Sequence, residues 1–366
     1  MSLKIQTGMG AGSVEITKSL VRDLGNLNGL HDMTSGVAQR QPVPQLLTQI
    51  FVSQKDEVYL QTNTFEHDYT RYVQAMPSDK PYSERGLVIN ARPETKTHLF
   101  KVPSVGMNAH IRPLDVLRRR KPNTGNELEQ KEAVILEDIA SMMKGWDLYA
   151  EKALAHVIST GSLYVPNATV PAVDFYQEYL SIPAASRPTV DYKLGTTAEH
   201  PKEAGEEARR RILDNLQEGQ SVSGFVAICG RTFFKRLTDH PKWTQRMTDG
   251  AGLNGQDPFI KRFENYKEQY RMVRFADDIV YIEYAGVIGG TPLIADNECF
   301  IIPVGTSLFR KVYAPAETNT YVNTLAQKEY LWRFDSEFDG TKLFSESNHG
   351  LFMINPALVV KGITSN

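Results

Sequence analysis

The chain is poor in cysteine, and Cys229 and Cys299 are its two thiols among 366 residues. Two cysteines in so long a chain cannot supply the disulfide framework on which small secreted domains depend, so the composition fits a reducing compartment. Cys229 follows the apolar run 225–228, and Cys299 precedes the apolar run 300–302. We therefore interpret both as small buried hydrophobic residues that carry free thiols.

Long hydrophobic runs are also absent. No apolar stretch approaches the roughly 20 residues that a membrane-spanning helix needs. The opening Met1-Ser2-Leu3-Lys4 is not followed by an apolar core, so we expect no signal peptide. The formal net charge is -2, and no overall charge of one sign draws the chain to nucleic acid or to a membrane. We expect no membrane partner, and any electrostatic function must come from local patches.

The residue spacings that are typical of catalytic and metal sites are missing as well. None of the eight histidines has a second histidine at the i, i+4 spacing of a metal-binding helix. There is no Gly-x-Ser-x-Gly motif for a nucleophilic serine. Gly8, Gly10 and Gly12 are preceded by a polar terminus in which we expect no strand, whereas a dinucleotide-binding loop must follow one. We therefore predict that the protein is not an enzyme, with no catalytic residue, no metal site and no cofactor.

The clearest element that is present is a long amphipathic helix, predicted over residues 126–159. Asn126 is a suitable N-cap, and acidic residues follow it in the first turns. Apolar side chains recur at helical spacing on one face, namely Leu128, Ile135, Ile139, Met142, Trp146, Tyr149, Ala153 and Val157. Such a helix is roughly 48 Å long, and its single apolar face predicts that it lies against a core.

Shorter elements of both kinds surround this helix, which predicts an α+β fold. We expect helices at 44–51, 203–216 and 231–238. We expect strands at 57–62, 224–229, 272–275, 279–284, 299–304, 308–313 and 358–360. Residues 176–180 and 189–192 are predicted to pair as a hairpin, and Asp277-Asp278 is interpreted as a turn at a strand start.

Residues 78–103 predict a hairpin that extends from the body of the protein. Its strands would be 87–90 and 97–102, with the turn at Arg92-Pro93-Glu94-Thr95, where proline suits the second turn position. An isolated two-stranded hairpin is marginal in water, so this one needs a surface to lie on, from its own chain or a neighbour. The candidate contact residues are Lys80, Arg85, Leu87, Ile89, Arg92, Leu99 and Lys101.

The run Arg118-Arg119-Arg120-Lys121 is the most basic segment of the chain. Three interpretations remain open: pairing with acidic groups of the same or a neighbouring subunit, a solvated loop, or contact with nucleic acid. Arg118, Arg119 and Arg120 therefore join the candidate contact residues. Residues 1–42 are rich in glycine and predict an arm whose order depends on neighbouring subunits.

The last third of the chain carries an ordered series of motifs. They are Pro303-Val304-Gly305, Ala314-Pro315-Ala316, Val322-Asn323-Thr324, Glu346-Ser347-Asn348 and Asn355-Pro356-Ala357. This series resembles the C-terminal part of the lambda-like phage major capsid protein family (capsid protein E), and the likeness extends loosely back to about residue 43. The chain departs from the family at 346–351, where the family usually has Gln-Ser-Asn-Pro-Leu. The first 42 residues match no motif of the family.

The resemblance implies the Hong Kong 97 (HK97) capsid fold and a division of the chain. It implies an N-terminal arm at 1–42, an extended loop at 78–103, an axial domain at 206–324, and a peripheral domain of 43–77, 104–205 and 325–366 that contains a spine helix at 126–159.

The resemblance also implies a function. The chain would be a major capsid protein that assembles in the host cytoplasm into hexamers and pentamers. These would form the icosahedral head shell of a tailed phage virion and hold packaged double-stranded DNA by non-specific contact. Decoration, scaffold and portal proteins would be further partners. The alternatives are an encapsulin-like shell around cargo enzymes and, from a different class, an enzyme whose site has no sequence signature.

Overall fold

The computed structural model describes most of the chain between residues 46 and 365, together with three short segments before it. The described ranges are 3–5, 14–16, 30–32, 46–71, 94–117, 131–166, 173–217, 220–243, 260–262, 270–274, 277–288 and 290–365.

Both helices and strands occur along these residues. The helices are α1 (Leu46–Phe51), α2 (Pro113–Leu117), α3 (Lys131–Thr160), α4 (Phe175–Leu180), α5 (Pro201–Asp214) and α6 (Arg231–Thr238). The strands of the first half are β1 (Leu3–Ile5), β2 (Val14–Ile16), β3 (Leu30–Asp32), β4 (Glu57–Tyr59), β5 (Thr64–Arg71), β6 (Glu94–Lys101), β7 (Gly106–Ile111), β8 (Thr189–Asp191) and β9 (Gly224–Cys229). Those of the second half are β10 (Ile260–Arg262), β11 (Arg271–Arg274), β12 (Ile279–Glu283), β13 (Val287–Ile288), β14 (Thr291–Pro292), β15 (Glu298–Val304), β16 (Phe309–Tyr313), β17 (Tyr330–Ser336), β18 (Gly340–Glu346), β19 (His349–Met353) and β20 (Val360–Ile363).

The largest sheet has seven strands in the order β10-β11-β12-β9-β15-β20-β8. It is mixed, because β12 runs parallel to β9 and β20 runs parallel to β8. Cys229 of β9 lies directly opposite Cys299 of β15. Both are buried and free, as predicted, and burial raises the pKa of the Cys299 thiol.

Smaller sheets join distant parts of the chain. Strands β3, β17, β18 and β7 form a four-stranded sheet, and β19, β16 and β4 form a three-stranded one. Strand β3 therefore pairs with a strand of its own chain, so at least residues 30–32 of the predicted arm have a partner within the subunit.

Helix α3 confirms the predicted long helix, although the structure describes it from Lys131 and the segment 118–130, including Asn126, lies outside the described residues. Its 30 residues span about 45 Å. The first half packs on the four-stranded sheet in a core that includes Ile135 and Leu343. The second half belongs to the main core through residues such as Leu154 and Val157. Helix α3 thus contributes residues to these two hydrophobic cores.

The predicted hairpin of 176–180 with 189–192 is wrong. Residues 176–180 belong to helix α4, whose N-cap is the Asp174 side chain, accepting from the backbone of Tyr176 and Gln177. Strand β8 pairs instead with β20, which begins at Val360 after a short 3-10 helix at Pro356–Leu358. Aromatic residues suggested a strand, but an aspartate cap and burial against the core favour the helix.

The predicted turn at residues 92–95 is also wrong in part, because Glu94 and Thr95 are strand residues. They lie opposite Arg71 and Thr70, so the partner of β6 is β5 rather than 87–90. The predicted strand 87–90 and Pro93 lie outside the described residues. Two other predictions are confirmed at their bounds, strand Gly224–Cys229 and helix Arg231–Thr238.

Candidate assembly surfaces

Strands β5 and β6 form an antiparallel two-stranded ribbon with two different faces. Its inner face carries Phe65 and Phe100, which are directly opposite one another and almost completely buried. Both rings contact Phe352 of β19, at centroid distances of 5.1 and 5.7 Å. Phe100 also meets Phe175 of α4 edge-on at 6.1 Å. The base of the ribbon is therefore held by aromatic packing against the body of its own subunit.

The outer face of the ribbon is exposed and bears two of the predicted contact residues. Leu99 is 64% exposed, and Lys101 lies two residues further on the same face. The face is otherwise polar, and the Thr97 hydroxyl donates to Asp68 across the two strands at 2.6 Å. A large apolar side chain in a polar, solvated strand face is available for contact with another molecule.

Two histidines lie between the ribbon and helix α4. His67 and His98 are directly opposite each other, and the Tyr179 hydroxyl lies 3.3 Å from Nδ1 of His67. His98 Nδ1 lies 3.7 Å from a Glu178 carboxylate oxygen. Burial, together with the positive charge of Arg310, lowers the pKa of His67 from 6.5 to about 4. The neutral imidazole of His67 is thus the form that fits the docked ribbon.

This arrangement predicts that acid weakens the docking of the ribbon. The unfolded chain protonates His67 near its usual pKa of 6.5, whereas the docked ribbon does so only near 4. The stabilisation that neutral His67 gives to the docked ribbon is therefore fully present above about pH 6.5, and it is lost as the pH falls toward 4. Amide hydrogen exchange in Thr64–Arg71 and Glu94–Lys101, corrected for intrinsic rates, should show more frequent opening at pH 5 than at pH 7. His67→Gln should reduce that difference, and an unchanged difference would contradict the assignment.

A buried carboxylate connects three parts of the subunit. Glu151 lies on α3, is 7% exposed, and was not singled out from the sequence. Its Oε1 accepts from the backbone N–H of Leu47 at 2.9 Å and from the Tyr284 hydroxyl at 3.0 Å. Its Oε2 accepts from the backbone and the hydroxyl of Thr48 at 3.2 and 3.0 Å. The carboxylate thus ties the start of α1 and the end of β12 to the long helix.

Removing this carboxylate should destabilise the subunit. Glu151→Ala leaves two backbone N–H groups and two hydroxyls without their acceptor in a buried place, which we expect to cost about 3 kcal/mol. Glu151→Gln keeps one acceptor oxygen and should cost less. Urea unfolding of both variants measures the difference, and equal losses from the two would show that the hydrogen bonds do not carry the effect.

The described residues show neither a metal-binding cluster nor a membrane-spanning helix. Within them no group of three or more His, Cys, Asp or Glu side chains is placed to hold a metal ion. None of the described helices is both long and apolar enough to cross a membrane.

Comparison with known families identifies the family of this chain. The sequence profile of the family described as "Phage major capsid protein E" matches residues 29–349, which is most of the chain. The chain belongs to the phage major capsid protein E family.

Individual relatives of this phage capsid chain agree with the family. It is 28% identical over 279 residues to the major capsid protein of Pseudomonas phage KPP10, covering 72% of this chain and 77% of the relative. It is 21% identical over 281 residues to the major capsid protein of Salmonella phage Felix O1, covering 68% of this chain and 73% of the relative.

The fold agrees with the sequence comparison. A crystal structure of a candidate prophage capsid protein of E. coli CFT073 superimposes with a TM-score of 0.53 at 12% identity, covering 89% of this chain and 94% of that one. The α+β fold of this phage capsid chain is the Hong Kong 97 capsid fold, as the resemblance implied.

Two of the five motifs that carried the resemblance meet in space. The Asn348 side chain donates to the Pro315 carbonyl at 3.0 Å, and the Ala314 N–H donates to the Asn348 carbonyl at 2.8 Å. Asn348 also accepts from the Val105 N–H at 3.2 Å, immediately before β7. In this phage capsid chain these hydrogen bonds of Asn348 join three separate stretches of the chain.

Two of the ten predicted contact residues lie within the described part of the chain. Leu99 and Lys101 lie on the outer face of the ribbon, as described above. The others lie outside the described residues, namely Lys80, Arg85, Leu87, Ile89, Arg92, Arg118, Arg119 and Arg120.

Proposed function

We propose that this chain is the building block of a phage head shell, a structural protein and not a catalyst, and that it assembles into hexamers and pentamers of an icosahedral capsid. The family match over residues 29–349 carries this proposal. Capsomers are rings of heterologous contacts, which need surfaces that one subunit alone leaves exposed. The outer face of the ribbon, with Leu99 and Lys101, is such a surface.

The division of the chain follows the same proposal. The extended loop would be 78–103, with its base docked on its own subunit and its distal part on the next subunit. The axial domain would be 206–324, and the peripheral domain would be 43–77, 104–205 and 325–366. Strands β8 and β20 then come from the peripheral segments and pair beside β15, which would hold the two domains in one sheet.

The partners of such a shell are part of the proposal. Double-stranded DNA would be held inside by non-specific contact, and decoration, scaffold and portal proteins would bind the shell. Assembly would take place in the host cytoplasm before the virion is released. A cargo shell of the encapsulin kind is not favoured, because the matching family and the curated relatives are phage major capsid proteins.

Electron microscopy of the purified protein tests this function. We expect closed icosahedral particles whose surface resolves into hexamers and pentamers. A protein that remains monomeric under all assembly conditions, or that forms only open sheets, would contradict it. Particles that co-purify with a specific enzyme rather than with DNA or a scaffold would support the cargo-shell alternative instead.

A further inference from the structure

One end of the four-stranded sheet carries an exposed hairpin tip beside a short helix. The turn between β17 and β18 consists of residues 337–339, and helix α2 follows β7 at the same end. Gly340 has a φ of +89°, and a Cβ there would lie 2.3 Å from the Ile111 carbonyl oxygen. Only glycine permits this close approach, so the tip is held in a defined position next to residues 111–113.

The tip presents an apolar side chain to solvent. Phe338 is 93% exposed, although it lies between two acidic residues in a turn where polar side chains are usual. Leu117 of α2, at the same end of the sheet, is 69% exposed. Single exposed apolar residues are common, but a fully exposed phenylalanine on a fixed tip is typical of a side chain that another molecule buries.

A cavity opens directly beside this tip. Its volume is about 570 Å³, and its wall includes Ser336, Glu337 and Gly340 from the base of the hairpin. The remaining wall is partly apolar, from Ile111, Pro113, Val116 and Leu117, and partly charged, from Arg112, Lys131 and Asp335. Phe338 is not part of the wall and does not enter the cavity of its own subunit.

We propose that Phe338 of one copy of this chain enters the cavity of another copy. The inference rests on the proposed function, since a shell brings many identical copies together and every copy carries both the exposed Phe338 and the cavity. The wall carries Arg112 and Lys131 as well as Asp335 and Glu337, and the exposed Glu337 beside the entering Phe338 would approach the exposed Arg112 of the other copy. The cavity and Phe338 lie side by side, so the same patch of both copies would form the contact.

Directed cross-linking tests this contact. Chains with Phe338→Cys and chains with Val116→Cys are purified separately, mixed, assembled and treated with copper phenanthroline. A disulfide between the two variants can form only between copies, and the native cysteines are fully buried. We expect the cross-linked dimer on a non-reducing gel from shells and not from free subunits. A mixture of Phe338→Cys with Leu213→Cys, on the exposed side of α5, is the matched control and should give none.

Assembly of Phe338→Ala provides a second measurement. Since Phe338 makes no buried contact within its subunit, circular dichroism should match wild type, while the subunit concentration needed for shells should rise about tenfold. Leu213→Ala should leave that concentration unchanged. The inference is overturned if wild-type shells form but Phe338→Ala assembles equally well and no cross-link appears. The inference is also overturned if Phe338→Ala forms normal shells and the only change is that a different protein, which binds wild-type shells, is no longer bound. Absence of shells from wild type would instead remove the proposed function.

Discussion

Replacing residues 72–93 with an Asn-Gly turn should give a folded chain that forms no shells. Arg71 and Glu94 lie directly opposite each other at the end of the ribbon, so two turn residues can join the strands. The inner face of the ribbon, with Phe65 and Phe100, stays in the core. The removed segment carries five of the ten predicted contact residues, so assembly should fail while the subunit remains stable.

Circular dichroism and urea unfolding measure whether the subunit is folded, and a sizing column measures whether shells form. The helix content and unfolding midpoint should match wild type, and the protein should elute as subunits or capsomers. A matched deletion of 86–102 should behave differently, because it removes Phe100 and Val102, which are both 2% exposed, and should unfold the base of the ribbon. Intact particles from the 72–93 replacement would contradict an assembly role for this segment.

Trp146→Asp should prevent folding of the subunit. Trp146 is 2% exposed on α3, and its indole N–H donates to the Ser345 hydroxyl of β18 at 2.7 Å. It also meets His349 at a centroid distance of 6.5 Å. The variant loses this packing, at a cost of about 3–5 kcal/mol, and buries a carboxylate without a cationic partner. The sum is comparable with the whole stability of a typical domain, so we expect insoluble protein.

The same helix offers a control. Leu148 lies two residues away and is 55% exposed, so Leu148→Asp places the same charge in solvent. Its unfolding free energy should stay within about 0.5 kcal/mol of wild type. Soluble Trp146→Asp with normal particles, or equal damage from both substitutions, would show that the buried face of the helix has been assigned incorrectly.

Local patterns predicted the elements that repeat with a clear period. The long helix was visible because Ile135, Met142, Trp146 and Val157 recur at helical spacing, and all four are buried. The turn at Asp277-Asp278 is confirmed, with Asp278 at a φ of +62°. Short elements with one strong signal, such as the strand and helix on either side of Gly230, were also predicted at their bounds.

Contacts between distant segments could not be predicted in the same way. Strand β5 alternates Phe65, His67 and Tyr69 with polar residues, which is a strand signal, but nothing in the sequence identifies β6 as its partner. The role of Glu151 depends on donors 104 and 133 residues away, so its position on the helix gave no indication of it. Pairing and burial over such distances are properties of the tertiary fold.

The topology of the seven-stranded sheet has a consequence for protein synthesis. Strand β20 lies between β15 and β8, so the sheet cannot close until residues 360–363 have left the ribosome. In a nascent or prematurely terminated chain that lacks β20, strands β15 and β8 each keep an unpaired edge. Unpaired strand edges favour aggregation or degradation over native packing. This sheet can therefore be completed only after translation has passed residue 363. Fragments would be eliminated before they could be built into a shell, where one defective copy would leave a gap.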